Sequence, residues 1–482
     1  MRDFRSILNI IGLLLCIESL AMIIPLIVDL LYSNNDWKQF FYSSILTFII
    51  GLVFFLSFRK EKNKINIRQA FVLTILSWLL LAFFGSIPFI YTSSLLSYSD
   101  AFFESVSGIT TTGATVINNL DELPEGILVW RSLLQWFGGI GIIVLAMAIL
   151  PTLQIGGMQL LHMEQDDPYE KSFPKINQFI IEIVLLYFGL TLACCLLYYI
   201  YGMSGFDSIL HSMTTISTGG FSNHNSSFNH FNSQSLELVS IVFMIIGSLP
   251  FVVYLHFIHG EKKSLFNDDQ IKLFFILLLV SIFLMIIWLY FILENDLVLS
   301  ARFAFFNITS ILTGTGYTSV DYSVWGGFAS IIMIFIMFIG GCAGSTTGGI
   351  KIFRLQVLFR GAKTQIKKLI QPHAVILMKF NGKTVTENTY NSIMGFFFMY
   401  IFLFLLSSVS LSFFDLDFIT SLSAAASAIS NVGPGLGSIV GPTENYSSLH
   451  YGAKWILSFT MLIGRLEIFT VLVLISSSFW KK

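Results

Sequence analysis

Four short stretches of the chain set hydroxyl-bearing, small or amide side chains beside glycine: Thr111-Thr112-Gly113, Ser217-Thr218-Gly219, Gly314-Thr315-Gly316 and Asn431-Val432-Gly433. The chemistry open to them is ligation of a partly dehydrated cation. Hydroxyls and backbone carbonyls are neutral oxygen ligands that replace a hydration shell, as carbonyl rings do in K⁺-selective filters. Glycine lets such a carbonyl be aimed through backbone angles that a Cβ would forbid. In each copy a Thr or Val precedes the Gly, and a short apolar segment rich in Ser or Thr precedes both. The copies recur roughly every hundred residues, an internal repeat. One such loop alone reads as a turn; four at matching places suggest four walls around one axis.

Composition says what must hold these loops. The chain has 482 residues, 55% hydrophobic and 11% charged, with a mean hydropathy of +0.78. Soluble domains carry about 25% charged residues, so this is an integral membrane protein. A net charge of −1 argues against nucleic acid. Cys16, Cys194, Cys195 and Cys342 lie in apolar surroundings and read as small core residues, not as a disulfide framework or metal site. The first apolar segment, 7–32, is longer than a signal-peptide core and lacks a clear cleavage site, so it reads as a span.

A span needs roughly 20 apolar residues. Two come first, near 7–32 and 39–58. One unit then repeats: a long span, a half-span with its loop, and a second long span. The units are 67–93, 100–112, 126–152; 174–201, 206–218, 235–259; 271–293, 302–315, 325–360; and 389–413, 418–432, 452–478. The expected fold is therefore all-α and polytopic, with four span–re-entrant half-span–span repeats around one pore after two extra N-terminal spans. It divides as 1–66, 67–165, 166–264, 265–384 and 385–482. Ala101-Phe102-Phe103 and Ala304-Phe305-Phe306 hold the same place before Gly113 and Gly316, as do Ser107 and Ser310. The fourth copy has drifted most, with Ala424-Ala425-Ala426 there.

Charge placement orients the chain. Arg2, Arg5, Arg59, Lys60, Lys62, Lys64, Lys262, Lys263, Lys351, Arg354, Arg360, Lys363, Lys367, Lys368, Lys481 and Lys482 fall on one side, predicted to be cytoplasmic with both termini. Asp121, Glu122, Glu125, Glu294, Asp296, Asp321 and Glu444 fall in the predicted outer loops. A half-span that enters and returns leaves backbone groups unpaired, which is tolerable only where the backbone is buried in protein or lines a wet cavity. The C-terminal end of each half-helix would also direct partial negative charge at that cavity.

The third unit's second span is interrupted. Gly340, Gly341, Gly344, Gly348 and Gly349, with Ser345, Thr346 and Thr347, follow a strongly apolar run. Glycine costs about 1 kcal/mol in a helix interior against alanine, so this helix should break below the loops. The break is either a flexible intramembrane gate or a kink that allows close helix contact. Arg465 lies about midway along the last span, where an arginine costs about 2.5–3.5 kcal/mol. Glu467, two residues on, cannot face it across a helix. Arg465 is either an electrostatic barrier in the pore or part of an ion pair with another span. Arg131, Lys454 and His450 are expected to snorkel or pair near outer span ends. His211 has no second ligand at metal spacing and reads as a packed or hydrogen-bonded histidine. The Phe396-Phe397-Phe398 run reads as lipid-facing or core packing. Lys363, Lys367 and Lys368 make a basic helix face for solvent, anionic lipid or a soluble partner.

On Thr111-Thr112-Gly113-Ala114-Thr115, Gln135-Trp136-Phe137-Gly138-Gly139-Ile140-Gly141, the run Gly340 to Lys351, and Gly464-Arg465-Leu466-Glu467, the chain resembles the potassium-uptake superfamily that includes bacterial Trk and Ktr subunits, fungal Trk and plant HKT proteins. The resemblance covers residues 67–478. The two extra N-terminal spans are similar to the Trk branch, with its TrkH-type membrane subunit. The resemblance implies filter glycines at Gly113, Gly219, Gly316 and Gly433, and a K⁺ preference, since some Na⁺-preferring relatives carry Ser at the first. It places the Gly-rich run and Arg465 in the gate. It implies K⁺ as the transported ion with no cofactor, a homodimer in the bacterial inner membrane, and a cytosolic nucleotide-binding ring of the TrkA type. The chain has no Gly-rich βαβ stretch of its own outside the spans, so nucleotide regulation would come from that partner. A symporter coupling K⁺ to H⁺ or Na⁺ is the alternative. Coupling sites usually bury carboxylates near the midplane, and Glu467 and Glu104 are the acids the sequence offers. An intramembrane enzyme is disfavoured: there is no His-Glu-x-x-His pair, Ser/Lys pair or paired-Asp constellation on facing spans.

Overall fold

The computed structural model describes residues 4–58, 66–91, 96–148, 176–261, 263–294, 296–374 and 376–481. The basic residues at 59–64, the segment 149–175 and the termini Arg2 and Lys482, with Lys262, lie outside the described residues. Among the described residues, seven helices are long and apolar enough to cross a membrane, and nine if each of two bent pairs counts as one span. The protein is a multi-pass membrane protein.

The helix starts follow from the sequence. The four half-helices are Tyr98–Ile109, Gly205–Ile216, Leu297–Leu312 and Phe418–Ser430. Each begins at a Ser or Asp whose side chain accepts a backbone N–H of the first turn: Ser97 from Asp100, Ser204 from Asp207, Asp296 from Val298 and Asp417 from Thr420. Such caps satisfy donors that a helix start leaves open. Each half-helix packs between the two long helices of its own unit and against the closing helix of another unit. Tyr98–Ile109 lies against Ile67–Gly85, Glu125–Ala148 and Tyr451–Arg465; Gly205–Ile216 against Ile176–Ile200, Gln234–Ser248 and Glu125–Ala148. Leu297–Leu312 lies against Asp269–Phe291, Gly327–Ile339 and Gln234–Ser248; Phe418–Ser430 against Glu387–Ser412, Tyr451–Arg465 and Gly327–Ile339. The succession closes on itself. The N-terminal helices pack on the first unit: Arg5–Ala21 lies against Trp37–Ser57 and Ile67–Gly85, and Ile23–Leu31 lies against Glu125–Ala148.

Two spans that read as continuous are sharply bent. The 235–259 span is Gln234–Ser248 and Phe251–Ile258, at 93°. Pro250 has no N–H to continue the ladder, and the helix end is capped from elsewhere: Cys342 N donates to Ser248 O at 3.0 Å and Phe251 N to Gly344 O at 3.0 Å. The last span is Tyr451–Arg465 and Ile468–Ile475, at 111°. It turns at Glu467, which sits in the left-handed region at φ 65°. The third unit breaks where expected, between Gly327–Ile339 and Ile352–Ile370. The all-α expectation misses one feature, a two-stranded antiparallel hairpin of Lys379–Phe380 and Lys383–Thr384 turning at Asn381-Gly382.

Candidate ion site

The four loops emerge from the C-terminal ends of the half-helices in one repeated geometry. The residue after each helix turn adopts positive φ: Thr111 at 52°, Thr218 at 49°, Gly314 at 71° and Asn431 at 56°. The next residue's N–H closes the helix end at 2.9–3.0 Å, as Thr112 to Ser107 O, Gly219 to Thr214 O, Thr315 to Ser310 O and Val432 to Ser427 O. A glycine follows, again at positive φ: Gly113 at 85°, Gly220 at 76°, Gly316 at 82° and Gly433 at 110°. The backbone thus sets Gly220, not Gly219, in line with Gly113, Gly316 and Gly433. Gly219 takes the place of Thr112, Thr315 and Val432. The sequence match falls one residue early in the second loop because two glycines follow Thr218 and only the first, Gly219, completes the Thr-Gly pattern of the first and third loops.

These glycines are where the loops meet. A Cβ on Gly113 would strike Gly219 O, one on Gly220 would strike Thr315 O, one on Gly316 would strike Val432 O, and one on Gly433 would stand 2.7 Å from Thr112 O. The contacts run from loop one to two, two to three, three to four, and back to one. Residues of all four loops line one cavity: Gly113, Gly220, Gly316 and Gly433, with Arg131 and Tyr446 on its walls.

Side chains brace the ring, two of them, Gln135 and Tyr446, given no role from sequence, and one, Asn431, expected as part of the fourth loop. Gln135 Nε2 donates to Gly219 O at 2.6 Å, and its Oε1 accepts from Phe221 N at 3.0 Å. Asn431 Nδ2 donates to Thr112 Oγ1 at 3.0 Å and to Met461 O at 3.0 Å, tying loop four to loop one. Tyr446 Oη donates to Gly433 O at 2.8 Å. Gln135 stood in a matched motif, and an amide buried beside Gly138-Gly139 was the available signal. Arg131, expected to snorkel or pair, is buried and ion-paired with Glu104 at 2.8 Å. It also donates to Ser222 O at 2.8 Å and lies 4.1 Å over the Phe221 ring. Glu104 accepts from Thr115 Oγ1 and Val116 N. Lys454 pairs with Asp100 at 2.6 Å. His211 is buried and hydrogen-bonded to Asp207 O and Ser222 Oγ.

Beneath the ring, the three breaks meet. Thr346 N donates to Gly247 O at 3.3 Å, and its Oγ1 bonds Gly247 O and Ile216 O and accepts from Thr218 Oγ1 at 3.0 Å. Arg465 Nη1 donates to Thr346 O at 2.8 Å, while its Nε and Nη2 have no hydrogen-bond partner among the described residues. The Gly340–349 segment is buried and internally bonded: Ser345 Oγ donates to Cys342 O at 2.6 Å and meets Thr347 Oγ1 at 2.8 Å. Gly348 packs on Ser430 O, just before the fourth loop. Glu467 pairs with Arg354 at 2.7 Å, both buried. The expected separation of Arg465 and Glu467 holds, but not because a helix continues between them: the backbone turns there. Among the described residues the other buried acids are Glu18, Asp29 and Asp36 in the N-terminal segment, Glu237, paired with Arg302 at 2.8 Å, and Asp268; Glu18 lies beside Gly85 and Asp29 beside Gly126.

At the mouth of the cavity, His224 Nδ1 meets Asp121 Oδ1 at 2.6 Å. Burial alone would push the His224 imidazole down and the Asp121 carboxyl up. Hydrogen bonding between them, aided by Asp207 on His224 and Asn225 on Asp121, outweighs burial. His224 is raised and Asp121 lowered from their ordinary values.

Comparison with known proteins places this geometry. The family model TrkH, described as a cation transport protein, matches residues 37–482. The chain is 38% identical over 483 residues to the Trk system potassium uptake protein TrkI of Halomonas elongata, covering 100% of this chain and 98% of that protein. It is 37% identical over 485 residues to the Trk system potassium uptake protein TrkH of Escherichia coli, covering 99% and 100%. The crystal structure of the potassium transporter TrkH from Vibrio parahaemolyticus superposes with a TM-score of 0.92 at 36% identity, covering 99% of this chain and 100% of that one. A match across nearly the whole length, in sequence and in fold, leads to one statement: the chain belongs to the TrkH family of cation transport proteins.

Proposed function

We propose that this chain is the potassium-conducting transmembrane subunit of a Trk-type uptake system, passing K⁺ through the opening bounded by its four loops. One observation carries the reading: the loops contact one another in unbroken cyclic order, each through a glycine at positive φ against the next loop's carbonyl. On this reading four span–half-span–span repeats surround one pore after two N-terminal spans. The filter is Thr111, Thr112, Gly113, Thr218, Gly219, Gly220, Gly314, Thr315, Gly316, Asn431, Val432 and Gly433, with Ser217 at the helix end. Neutral oxygens suit a large monovalent ion whose hydration shell is shed cheaply. Val432 has no hydroxyl, so the fourth wall gives carbonyls alone.

The gate is the 340–349 segment with Arg465, whose unpartnered guanidinium nitrogens leave its charge to act on a cation below the filter. Conduction is channel-like, not coupled. Among the described residues, the buried acids Glu467, Glu104 and Glu237 are each held by an arginine, and Glu444, which lines the cavity, is exposed at its outer end; this supports conduction without a buried coupling carboxylate. The relatives' names place them in a Trk system, which supports a regulatory partner of the TrkA type; on the same reading that partner is a cytosolic nucleotide-binding ring, two copies of this chain make the assembly, and both termini are cytoplasmic in a bacterial inner membrane. Broad apolar faces, such as that of Trp37–Ser57, suit lipid.

The test is cation flux into proteoliposomes under opposing K⁺ and Na⁺ gradients, for the native chain and Gly113→Ser. K⁺ flux well above Na⁺ flux, independent of a proton gradient and eroded by Gly113→Ser, is the expected result. Flux that requires a proton or Na⁺ gradient overturns channel-like conduction in favour of symport.

A further inference from the structure

Asp121 follows the first filter loop in sequence, whereas His224 and His230 follow the second, yet the three converge. One ligand atom from each lies within 4.8 Å of the others. The two imidazoles stack with centroids 3.5 Å apart and planes 2° from parallel, and Phe231 stands edge-on to both. His224 Nδ1 faces Asp121, and on the other side of the ring Nε2 faces Asp207 Oδ1 at 3.4 Å. A carboxylate facing the far nitrogen favours a proton there and raises the basicity of the near one, the kind of support that metal-ligating histidines usually have. Asn225, next to His224, donates to Asp121 Oδ2 at 2.9 Å and accepts from Leu120 N at 2.9 Å, so the two segments are already latched.

We propose that Asp121, His224 and His230 form a site for a borderline divalent transition metal such as Zn²⁺, and that its occupation throttles ion entry. Two imidazoles and one carboxylate favour such a metal over Mg²⁺ or Ca²⁺, which take oxygen ligands. In a tetrahedral Zn²⁺ site with bonds of roughly 2.0–2.2 Å, water fills the fourth position. The metal takes the place of the proton shared between His224 Nδ1 and Asp121, and the stacked rings hinge open to bring His230 in. His224 and Asn225 line the same cavity as Gly113, Gly220, Gly316 and Gly433. A bound dication there repels a monovalent cation at the mouth and locks the first and second outer segments together. The throttle rests on the potassium-conducting reading; the metal site does not.

The experiment uses purified full-length protein without a polyhistidine tag, titrated with Co²⁺ and then Zn²⁺. The expected result is one Co²⁺ per chain with the intense visible absorption of a low-coordinate nitrogen and oxygen site, displaced by Zn²⁺. His230→Ala and Asp121→Asn should each weaken it at least about tenfold, while His256→Ala should not. Co²⁺ binding that none of these substitutions alters overturns the site. In proteoliposomes that pass K⁺, Zn²⁺ on the Asp121 side should slow flux in the native chain and not in His230→Ala. Binding without slowing overturns the throttle. Absence of K⁺ flux without metal overturns the functional reading and leaves the Co²⁺ titration to decide the site.

Discussion

Arg465 donates from Nη1 to the carbonyl of Thr346 at 2.8 Å, joining the break in the last span to the middle of the Gly-rich segment. Thr346 in turn bonds Gly247 and Ile216, so one residue connects two helix breaks to the end of the second half-helix. On the proposed reading, a charge there acts on any cation leaving the filter. At an effective dielectric of about 20 and a separation of roughly 8 Å, the repulsion is about 2 kcal/mol, near thirty-fold in rate. Arg465→Ala should therefore raise basal K⁺ flux at least about tenfold, and Arg465→Lys by less. Flux that is unchanged or lower in well-folded Arg465→Ala protein would count against the gate.

Arg354 and Glu467 form a buried pair at 2.7 Å, with the guanidinium 3.8 Å from the Phe396 ring centre. Removing one partner of such a pair leaves an uncompensated charge, at a cost of about 3–5 kcal/mol. Glu467→Gln should lower the thermal midpoint of the solubilised protein clearly. Arg354→Met combined with Glu467→Gln should recover much of the loss. A double variant as unstable as the sum of the singles would show that the two side chains act independently.

Much of this was legible from composition and period alone. The long spans, the half-helices and the Gly-rich break follow from hydropathy and from glycine's cost in a helix. The bends did not, for two different reasons. Pro250 was visible, but its helix turns through 93° because the Gly-rich segment supplies the caps for Ser248 and Phe251, a contact nearly a hundred residues away in the chain. At Glu467 the turning residue is neither proline nor glycine, and Gly464 before it is still helical; Glu467 stands at φ 65° and pairs there with Arg354. The Asn381-Gly382 hairpin was readable, since Asn-Gly is the strongest short turn signal. Gln135 was marked by its motif but not by a role, because what an amide does depends on which backbone it meets.

The Glu104–Arg131 pair predicts how the mouth is held. Both side chains are buried, and Glu104 accepts from Thr115 and Val116 while Arg131 reaches Ser222, so the pair fastens the residues just after loops one and two. Arg131→Met should destabilise the fold by about 3 kcal/mol and reduce K⁺ over Na⁺ discrimination in the protein that survives. Arg131→Lys should keep the charge but lose the fork that spans Glu104 and Ser222, giving intermediate selectivity. Native selectivity in a destabilised Arg131→Met protein would confine the pair to a structural role.

The register of the second loop has its own test. Gly220 lies at φ 76° and a Cβ there meets the Thr315 carbonyl, which is backbone and has no room to withdraw. A Cβ on Gly219 meets the Gln135 side chain instead, and a side chain is able to move or be shortened. Gly220→Ala should abolish selective flux whatever stands at position 135. Gly219→Ala should also impair flux, but Gln135→Ala in the same chain should restore part of it, limited by about 1–3 kcal/mol for the buried partners Gly219 O and Phe221 N that lose Gln135. Flux measured on the four single and double variants decides between the registers. Rescue of Gly220→Ala, or a tolerant Gly220 beside an intolerant Gly219, would return the second filter glycine to position 219 and break the cyclic match of the four loops.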